Sequence, residues 1–511
     1  MGYMNHTQPL EHFLMKPNAT LSPISLRYIA ALRGNKPKKT GTEFTYAEIA
    51  CAAPEKLICL AASNPEGRFY GFVANDAARR NAETLATQRG TFNIIFMTGS
   101  PSEILARLNN GSSLPPMLDY LCCDENSAGL NAAERAALFD LAQKRLNPSG
   151  LFVTCYRAYD REDGALRFLI QELAPEMNEA QKQEFLQEIK TLGATYLAKH
   201  PDIAAKLDKA IATKAPQDFF ALFGGEKVTS GAFDTLIAAS THDMSYGGDA
   251  HLAFNYVELA VPQAAQDLIV SCRTHPFYEP IKDLALDRSM RTDIWVKEPA
   301  QKSAATAELF GGFAYGLTVS REQIPATYQA QGKTIDLSGA LYTKIIDLMT
   351  VLPLGVGDVM SHPAGLGEQP AKILEVLQVL VACGLALPMR GALTSTNVGT
   401  TAKPRLVGSF NRFLDKTSLS DTDVMFASQV AGCGVTLPAR DAFVIQALNR
   451  GGLNNSVSAL MPELRRIANT STSLSIFNAK EPTAEMAHAM ILDIVGESLP
   501  QWYAYALLEA A

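Results

Sequence analysis

The turn that follows the first predicted strand holds the residues best placed to contact a ligand. Residues 48–54 read EIACAAP, and none of them is a glycine. In nucleotide-binding α/β proteins this turn is usually rich in glycine, because a backbone without Cβ atoms lets a ligand approach closely. The sequence therefore predicts a turn that presents methyl groups and a proline ring where bare backbone is usual.

The other reactive residue types show no spacing typical of a catalytic or metal site. The eight histidines include no H-x-H or H-x-x-x-H pair, and no phosphate-binding glycine loop or G-x-S-x-G motif is present. Cys122 and Cys123 are neighbours on an apolar strand. We expect them on opposite faces of a sheet, and we favour buried packing over redox chemistry for both. No metal site is predicted.

A group of charged residues in the second half of the chain permits two interpretations. Arg288, Arg291 and Asp293 lie close together in the sequence and could form a charged face of a domain. The alternative is a solvated surface of ion pairs, which is common in proteins and contributes little to stability. We favour the solvated surface at this point.

The elements around the first turn alternate regularly between strand and helix patterns. Between residues 44 and 156, five apolar strand-like segments are separated by four helical segments. Such alternation predicts an α/β fold with a doubly wound parallel sheet, whose ligand crevice lies at the carboxyl ends of the strands.

The remainder of the chain is predicted to be rich in helices. Its last part, with a helix, a turn, a second helix and then LALPMRG, could adopt a winged-helix shape. Residues 339–511 carry 12 basic and 14 acidic side chains, which disfavours nucleic acid as a partner. The predicted domains are an α/β domain at 1–160, a helical connector at 161–215, a second α-rich domain at 216–338 and a helical carboxyl-terminal domain at 339–511.

Composition limits the class of protein further. The chain has 511 residues, of which 47% are apolar and 19% are charged, so an extensively disordered chain is excluded. A net charge of −7 disfavours binding to nucleic acid or to anionic membranes. The cysteines form no C-x-x-C pair and favour a reducing cytoplasm. We expect no secretory leader at the amino terminus and no membrane span, since Glu375 and Gln378 interrupt the most apolar stretch.

Several segments of the chain resemble one known bacterial family. FTYAEIACA and NPEGRFYGFVAND, preceded by NATLSPISLRYIAALRGNKP, resemble the amino-terminal domain of class I S-adenosylmethionine-dependent methyltransferases that also carry a methyltransferase regulatory domain. YGGDAHLAFNYVELAVP and LDRSMRTDIWVKE are similar to that regulatory domain, which would make 216–338 regulatory-like. LVGSFNRFL and FASQVAGCGVTLPARDAFVIQAL are similar to the family's carboxyl-terminal region. The resemblance implies a class I methyltransferase-like fold, S-adenosylmethionine as cofactor, and a protein as partner or substrate, since some relatives methylate protein lysines.

The first motif of this family is only partly matched. The family pattern is an acidic residue followed by two or three glycines, in the form E-L-G-C-G-x-G. Glu48 and Cys51 match this pattern. Ala50, Ala52 and Pro54 replace the glycines. A methyl group can obstruct a backbone that needs positive φ, and proline fixes φ and removes an N–H donor.

The other cofactor positions of the family are also altered. Val73 stands where the family has a carboxylate for the ribose hydroxyls, and Asn75 or Asp76 could replace it by a shift of register, although a helix cap is the favoured role of Asp76. Asp119 and Tyr156 match family positions near the fourth and fifth strands. The residues that the resemblance implies for cofactor binding are Glu48, Ala50, Cys51, Ala52, Asn75, Asp76 and Asp119.

Two functional hypotheses follow, and a third has less support. The first is a non-catalytic binding, scaffold or regulatory member of the family, with no cofactor. The second is an active protein methyltransferase that binds S-adenosylmethionine in a divergent pocket. The third is a transcriptional regulator. We expect a cytoplasmic protein that has a protein partner or substrate and could form an oligomer, and the catalytic residues remain unassigned.

Overall fold

A computed structural model describes most of the chain. The predicted absence of a secretory leader concerns residues outside the described part. The described residues are 16–36, 41–123, 129–159, 161–225, 227, 231–298, 305–330, 333–362, 367–391, 403–420, 422–470 and 482–510.

The amino-terminal part contains the predicted alternation of strands and helices. The five predicted strands and the four predicted helices between them are all confirmed. The elements are β1 (Lys16–Asn18), α1 (Pro23–Leu32), β2 (Phe44–Ile49), α2 (Pro54–Ser63), β3 (Gly67–Val73), α3 (Asp76–Gln88), β4 (Ile94–Thr98), α4 (Pro101–Asn109), β5 (Leu118–Cys123), α5 (Ala132–Arg145) and β6 (Leu146–Arg157).

Local sequence signals explain where these helices begin. Pro54 and Pro101 occupy the first turn of α2 and α4, where a missing N–H costs no hydrogen bond. Ser100 and Glu103 form a capping box at α4, and Asn131 caps α5 through its side chain. Each helix start lies just after a strand, so all four starts face the carboxyl ends of the strands.

The strands pair in the order β4-β3-β2-β5-β6, and all these pairs are parallel. In register, Ile49 lies beside Cys123, and Val73 lies beside Thr98. The carboxyl ends of the strands therefore share one edge, which we call the carboxyl edge. The doubly wound parallel sheet predicted from the sequence is confirmed.

The next segment is helical before it returns to this sheet. The predicted run of helices up to residue 212 is confirmed, with no strand in its described residues. Its elements are α6 (Gly164–Leu173), α7 (Glu179–Leu192), α8 (Ala194–Lys199), α9 (Pro201–Thr213), α10 (Pro216–Phe220), α11 (Gly231–Thr241), β7 (Met244–Asp249), α12 (Val257–Ala260), α13 (Gln263–Ser271), α14 (Tyr278–Leu286) and β8 (Met290–Lys297).

Two strands of this second segment complete the first sheet. β8 pairs antiparallel with β6, and β7 pairs antiparallel with β8, which gives a seven-stranded sheet in the order β4-β3-β2-β5-β6-β8-β7. The sheet thus extends beyond residue 160, where the sequence predicts a domain boundary. The domain division itself remains a prediction.

The carboxyl-terminal region consists mainly of helices with short strand pairs. The strand β12 (Ala386–Met389) follows the helix α18 (Pro370–Ala382) and pairs with the strand β9 (Ala314–Leu317). The residues where a wing would follow, 392–402, lie outside the described part. The winged-helix shape therefore remains a prediction. The elements are α15 (Thr306–Phe310), β9 (Ala314–Leu317), β10 (Thr327–Ala330), β11 (Lys333–Asp336), α16 (Ala340–Met349), α17 (Val356–Ser361), α18 (Pro370–Ala382), β12 (Ala386–Met389), β13 (Pro404–Leu406), α19 (Gly408–Arg412), β14 (Val424–Ser428), β15 (Cys433–Leu437), α20 (Ala439–Gly451), α21 (Ser456–Thr470), α22 (Ala484–Ala504) and β16 (Leu508–Ala510). In the described residues, no helix combines the length and the apolar character needed to cross a membrane.

The two faces of the seven-stranded sheet pack against different partners. Cys122 lies in a core that includes β14, β15 and α20, whereas Cys123 lies in a core with α5 on the other face. Both cysteines are buried, as the sequence predicts for neighbours on a strand. The carboxyl-terminal region therefore packs on one face of the sheet together with α2 and α3, whereas α4, α5 and α11 pack on the other face.

Polar contacts tie the carboxyl-terminal region to the loop between α2 and β3. The Asn64 side chain donates a 3.0 Å hydrogen bond to the carbonyl oxygen of Gly432, and Arg390 lies 2.8 Å from Glu66. The two charged side chains are nearly buried, with exposed fractions of 10% and 15%. An ion pair in such a setting is costly to break on one side only, because the remaining charge has lost its hydration.

We expect Arg390→Ala to lower the free energy of unfolding by about 3 kcal/mol, since it leaves Glu66 buried without a countercharge. The matched control is Arg321→Ala, which breaks an exposed 2.7 Å pair with Asp347 and should cost less than about 0.5 kcal/mol. Urea unfolding of both variants measures the difference. Equal losses in the two variants would contradict the assigned role of the Arg390 contact.

Candidate functional site

The turn after β2 has a left-handed backbone at a residue that is not glycine. Ala50 has φ of 55°, a conformation that L residues other than glycine seldom adopt. The next residue, Cys51, is buried, and its N–H donates a 2.8 Å hydrogen bond to the carbonyl oxygen of Phe72 on β3. Ala52 is exposed at the carboxyl edge. The chain path of a glycine turn is thus preserved, with a Cβ atom added at Ala50.

Glu48 and Cys51 occupy fixed positions beside this turn. Glu48 is buried on β2 and lies in register between Gly71 of β3 and Cys122 of β5. Cys51 packs in the apolar core on the face that the carboxyl-terminal region covers. Of the residues in the predicted set, Glu48, Ala50, Cys51 and Ala52 therefore do lie together at the carboxyl edge.

Asn75 and Asp76 also lie at this edge, but both have local structural roles. Asn75 caps α3, since its Oδ1 atom accepts a 2.9 Å hydrogen bond from the N–H of Ala78. Asp76 is exposed and pairs with Arg79 at 3.1 Å. The cap role that the sequence favours for Asp76 therefore belongs to Asn75, because the helix begins at Asp76, one residue earlier than that assignment requires.

Asp119 does not join the other predicted residues. It is the second residue of β5, so it lies at the amino end of the strand, about 13 Å along the chain from the carboxyl edge. Its carboxylate accepts hydrogen bonds from the backbone N–H of Thr45 at 2.9 Å and from the Asn147 side chain at 3.1 Å. Placing Asp119 near a ligand at the first turn is therefore incorrect, and its contacts join β2, β5 and the start of β6.

The described residues do not fit S-adenosylmethionine in the way that the resemblance implies. Val73, at the position of the ribose carboxylate, is buried in strand β3. Neither Asn75 nor Asp76 replaces it without giving up a cap or an ion pair. At the turn itself, the positive φ of 55° belongs to an alanine, whose methyl group packs against the core that contains α5. No step of methyl transfer can be built on these residues.

The sequence did not reveal a polar cluster at the end of β4. Gly99 there has φ of 137°, and Glu134 at the start of α5 accepts hydrogen bonds from Ser100 and from the side chain and backbone N–H of Ser102. Burial would raise the pKa of Glu134, but these hydrogen bonds outweigh it and lower the pKa. The cluster joins the start of α4 to the start of α5, so the polar groups of Ser100, Ser102 and Glu134 at the carboxyl edge bond one another.

A second group of polar residues lies between the strands β6 and β8 and the helix α14. Arg291 is buried, and its guanidinium contacts three carboxylates: Asp283 at 2.7 Å, Glu279 at 2.7 Å and Asp293 at 3.0 Å. The Tyr156 hydroxyl donates to Asp293. The sequence interpretation of a solvated ion-pair surface is therefore wrong.

Arg288 belongs to the same buried network. It pairs with Asp249, whose other oxygen lies 3.3 Å from Nδ1 of His251. The guanidinium carbon of Arg288 lies 4.1 Å from the ring centroid of Phe254. Charged side chains stay buried here because each one has a partner of opposite charge, which is the condition for burying ions at acceptable cost.

Burial and charge shift the pKa values of this network in opposite directions. Burial raises the pKa of Asp283 to about 6 despite the neighbouring Arg291. Burial would also raise the pKa of Glu279, but Lys282 and Arg291 lower it to about 2. Glu279 is therefore ionised at neutral pH, whereas Asp283 gains its proton in mildly acidic solution.

Comparison with known proteins agrees with this fold. Residues 232–297, which include all of β7 and β8, match the family model of a predicted methyltransferase regulatory domain. A curated relative, the uncharacterized protein sll1526 of Synechocystis, is 22% identical over 444 residues, which are 84% of this chain and 85% of the relative.

Two solved structures cover nearly the whole chain. PKMT2 from Rickettsia typhi is 12% identical, with a TM-score of 0.61 over 96% of this chain and 99% of that chain. Its structure in complex with AdoHcy is 15% identical, with a TM-score of 0.61 over 96% and 98% of the two chains. This chain therefore has a class I methyltransferase fold with a methyltransferase regulatory domain, which confirms the resemblance and the fold class that the sequence predicts.

We expect Ala50→Gly to raise the free energy of unfolding by about 1 kcal/mol, because glycine adopts a positive φ without the steric cost of a Cβ atom. The control is Ala52→Gly at a residue without positive φ, where glycine should leave stability unchanged or lower it by up to about 1 kcal/mol. Urea unfolding measures both variants. A loss of stability in Ala50→Gly would show that the Ala50 methyl group packs favourably in the turn.

The network at Arg291 predicts a pH dependence of stability. The folded protein holds the Asp283 proton more tightly than the unfolded chain, whose carboxyl has its ordinary pKa of 3.8. The contribution of Asp283 is therefore most favourable below pH 4 and is lost as the pH rises to about 6. The stability of the wild type relative to Asp283→Asn should fall over this range in urea unfolding. A difference that does not change with pH would contradict the raised pKa.

Proposed function

We propose that this chain is a non-catalytic binding, scaffold or regulatory protein built on the methyltransferase fold. The observation that carries the proposal is the turn at Ala50, where an alanine adopts the positive φ that is usual for glycine and residues 48–54 contain no glycine. The buried Val73 at the ribose position supports the same conclusion. Loss of several positioning groups together is harder to tolerate than loss of one, because methyl transfer depends on the alignment of donor and acceptor.

The second candidate is an active S-adenosylmethionine-dependent protein methyltransferase with a divergent donor pocket. The preserved left-handed conformation of Ala50 and the position of Glu48 at the end of β2 favour it. If the donor binds, Glu48 and Asn75 are the polar side chains of the predicted set that lie beside it, and the donor would supply the electrophilic methyl group. In the non-catalytic case no cofactor is required.

We also propose a protein as partner or substrate and the cytoplasm as the compartment. The structure pairs none of the eight cysteines, all of which are described, with another cysteine, which suits a reducing compartment. Phe92 and Ile95, beside and on the edge strand β4, are 80% and 53% exposed, so this edge offers an apolar surface to a partner or to a second copy.

Isothermal titration of the purified chain with S-adenosylmethionine and S-adenosylhomocysteine tests the proposal. We expect no saturable heat from the wild type. The triple variant Ala50→Gly, Ala52→Gly, Asn75→Asp restores bare backbone in the turn and adds a carboxylate after β3, so it should gain binding.

PKMT2 from Rickettsia typhi, which has been solved with AdoHcy, is the positive control for this titration. Asp119→Asn is the negative control within this chain, because its side chain lies at the opposite edge of the sheet. Micromolar binding of either ligand by the wild type would reject the non-catalytic proposal in favour of the second candidate.

A further inference from the structure

A cavity of about 570 Å³ lies beside β6, β7 and β8, away from the turn at Ala50. No residue of the predicted cofactor set lines it. One wall comes from the sheet and the other from α11, α14 and the end of α1. This volume is in the range of small-molecule sites. The side chains that decide its chemistry are Arg33, Phe233, Tyr246, Tyr278, Glu279 and Trp295.

Aromatic rings form much of the cavity wall. Tyr246 and Trp295 pack edge to face, with 5.5 Å between their ring centroids, and Phe233 and Tyr278 line the cavity from α11 and α14. Ring faces carry negative electrostatic potential, which attracts cations.

A cation of the protein itself already occupies part of this site. The guanidinium carbon of Arg33 lies 5.3 Å from the ring centroid of Tyr246, and its Nη2 atom lies 3.9 Å from Oε1 of Glu279. That carboxylate oxygen accepts no hydrogen bond within the described residues. The Arg33 side chain is about one third exposed and follows the end of α1, so it can leave without unfolding a helix.

We propose that this cavity binds an organic cation, an alkylammonium or guanidinium group, between the Tyr246 ring and the Glu279 carboxylate. Cations bind preferentially over aromatic faces, and they do so more strongly when they are partly desolvated. Arg33 holds the place in the free protein and is displaced by the ligand. The source of the cation is either a free small molecule or a cationic side chain of a protein.

The charges around the cavity are consistent with a cationic ligand. At the rim, Arg273 pairs with Glu258 at 3.1 Å, and both side chains are more than half exposed, so solvent screens them. Inside, Glu279 and Asp293 line the cavity, and Arg291 and Lys282, which are not among the lining residues, both pair with Oε2 of Glu279, at 2.7 and 2.8 Å. The Oε1 oxygen of Glu279 is the one that Arg33 faces and that a ligand would use. Once Arg33 leaves, the charged groups that line the interior are carboxylates.

This proposal does not depend on binding of the methyl donor. The cavity and the turn at Ala50 share no residue, so the two titrations report on different sites. The chain also offers a specific reporter, because it has two tryptophans and the other one, Trp502, is buried in the carboxyl-terminal region. In a Trp502→Phe background, tryptophan fluorescence reports on the cavity wall alone.

The experiment titrates the Trp502→Phe chain with four probes. Choline represents a free organic cation, and a blocked peptide with one lysine represents a protein side chain. 3,3-Dimethylbutanol is the neutral isostere of choline, and inorganic phosphate tests for an anion site. We expect a saturable change of fluorescence with choline, the peptide or both, and the tighter of the two identifies the source.

Two results of this titration would overturn the proposal. Equal binding of the neutral isostere and choline would mean that the cavity recognises only apolar volume. Binding of phosphate without either cation would mean that Arg33 and Arg273 define an anion site. Absence of a saturable signal with both cations, confirmed by calorimetry, would equally reject it.

Variants of the cavity test the assigned contacts. Arg33→Ala removes the internal competitor and should tighten cation binding about fivefold, whereas Tyr246→Leu removes the ring face and should weaken it about fivefold. Arg273→Ala at the screened rim is the matched control, with an expected change of about twofold or less. Circular dichroism establishes whether each variant is folded. If Tyr246→Leu does not fold, Arg33→Ala still tests the proposal. Weaker binding by Arg33→Ala would overturn the displacement of Arg33.

Discussion

The ion pairs of the buried Arg291 guanidinium are the contacts on which the packing of α14 against the seven-stranded sheet depends. Arg291 lies on β8, the strand that joins β6 to β7, and it bonds carboxylates of its own strand and of α14. Without these partners a charged strand could not lie inside a sheet, since burying an isolated ion costs several kcal/mol or more. The same contacts hold α14 against the sheet, and α14 supplies Tyr278 and Glu279 to the cavity wall. The regulatory segment and the methyltransferase sheet are therefore one packed structure.

The carboxyl edge depends on a different constraint, the conformation of a single residue. Ala50 keeps a positive φ because Cys51 must bond the Phe72 carbonyl and then enter the core, so packing on both sides fixes the chain path. The fold thus tolerates the loss of glycine at a modest cost in strain. The turn therefore carries a Cβ atom at a residue whose backbone conformation favours glycine.

Part of this structure could be predicted from the sequence, and the limits have physical causes. Proline, asparagine and serine at the starts of helices, together with apolar runs, are sufficient to predict the five strands and the four helices between them. The alternation of these elements is sufficient to predict that the strands are parallel. The location of Asp119 was not accessible, because a motif match does not specify at which end of a strand a residue lies. The burial of Arg291 was missed because its partners Glu279 and Asp283 are recognised only when α14 packs against β8. Arg33 and Glu279 meet only in the folded chain, so no local pattern could reveal the cavity.

The two sites differ in how far the fold depends on their side chains. Ala52 and Asp76 are exposed at the carboxyl edge, so we expect substitutions there to cost the fold little. The acidic wall of the cavity is different, because Glu279 and Asp293 also pair with the buried Arg291, and removing either one leaves a charge uncompensated. The ion pairs that hold α14 against the sheet therefore also fix the carboxylates of the cavity, and the cavity does not depend on the residues at the turn.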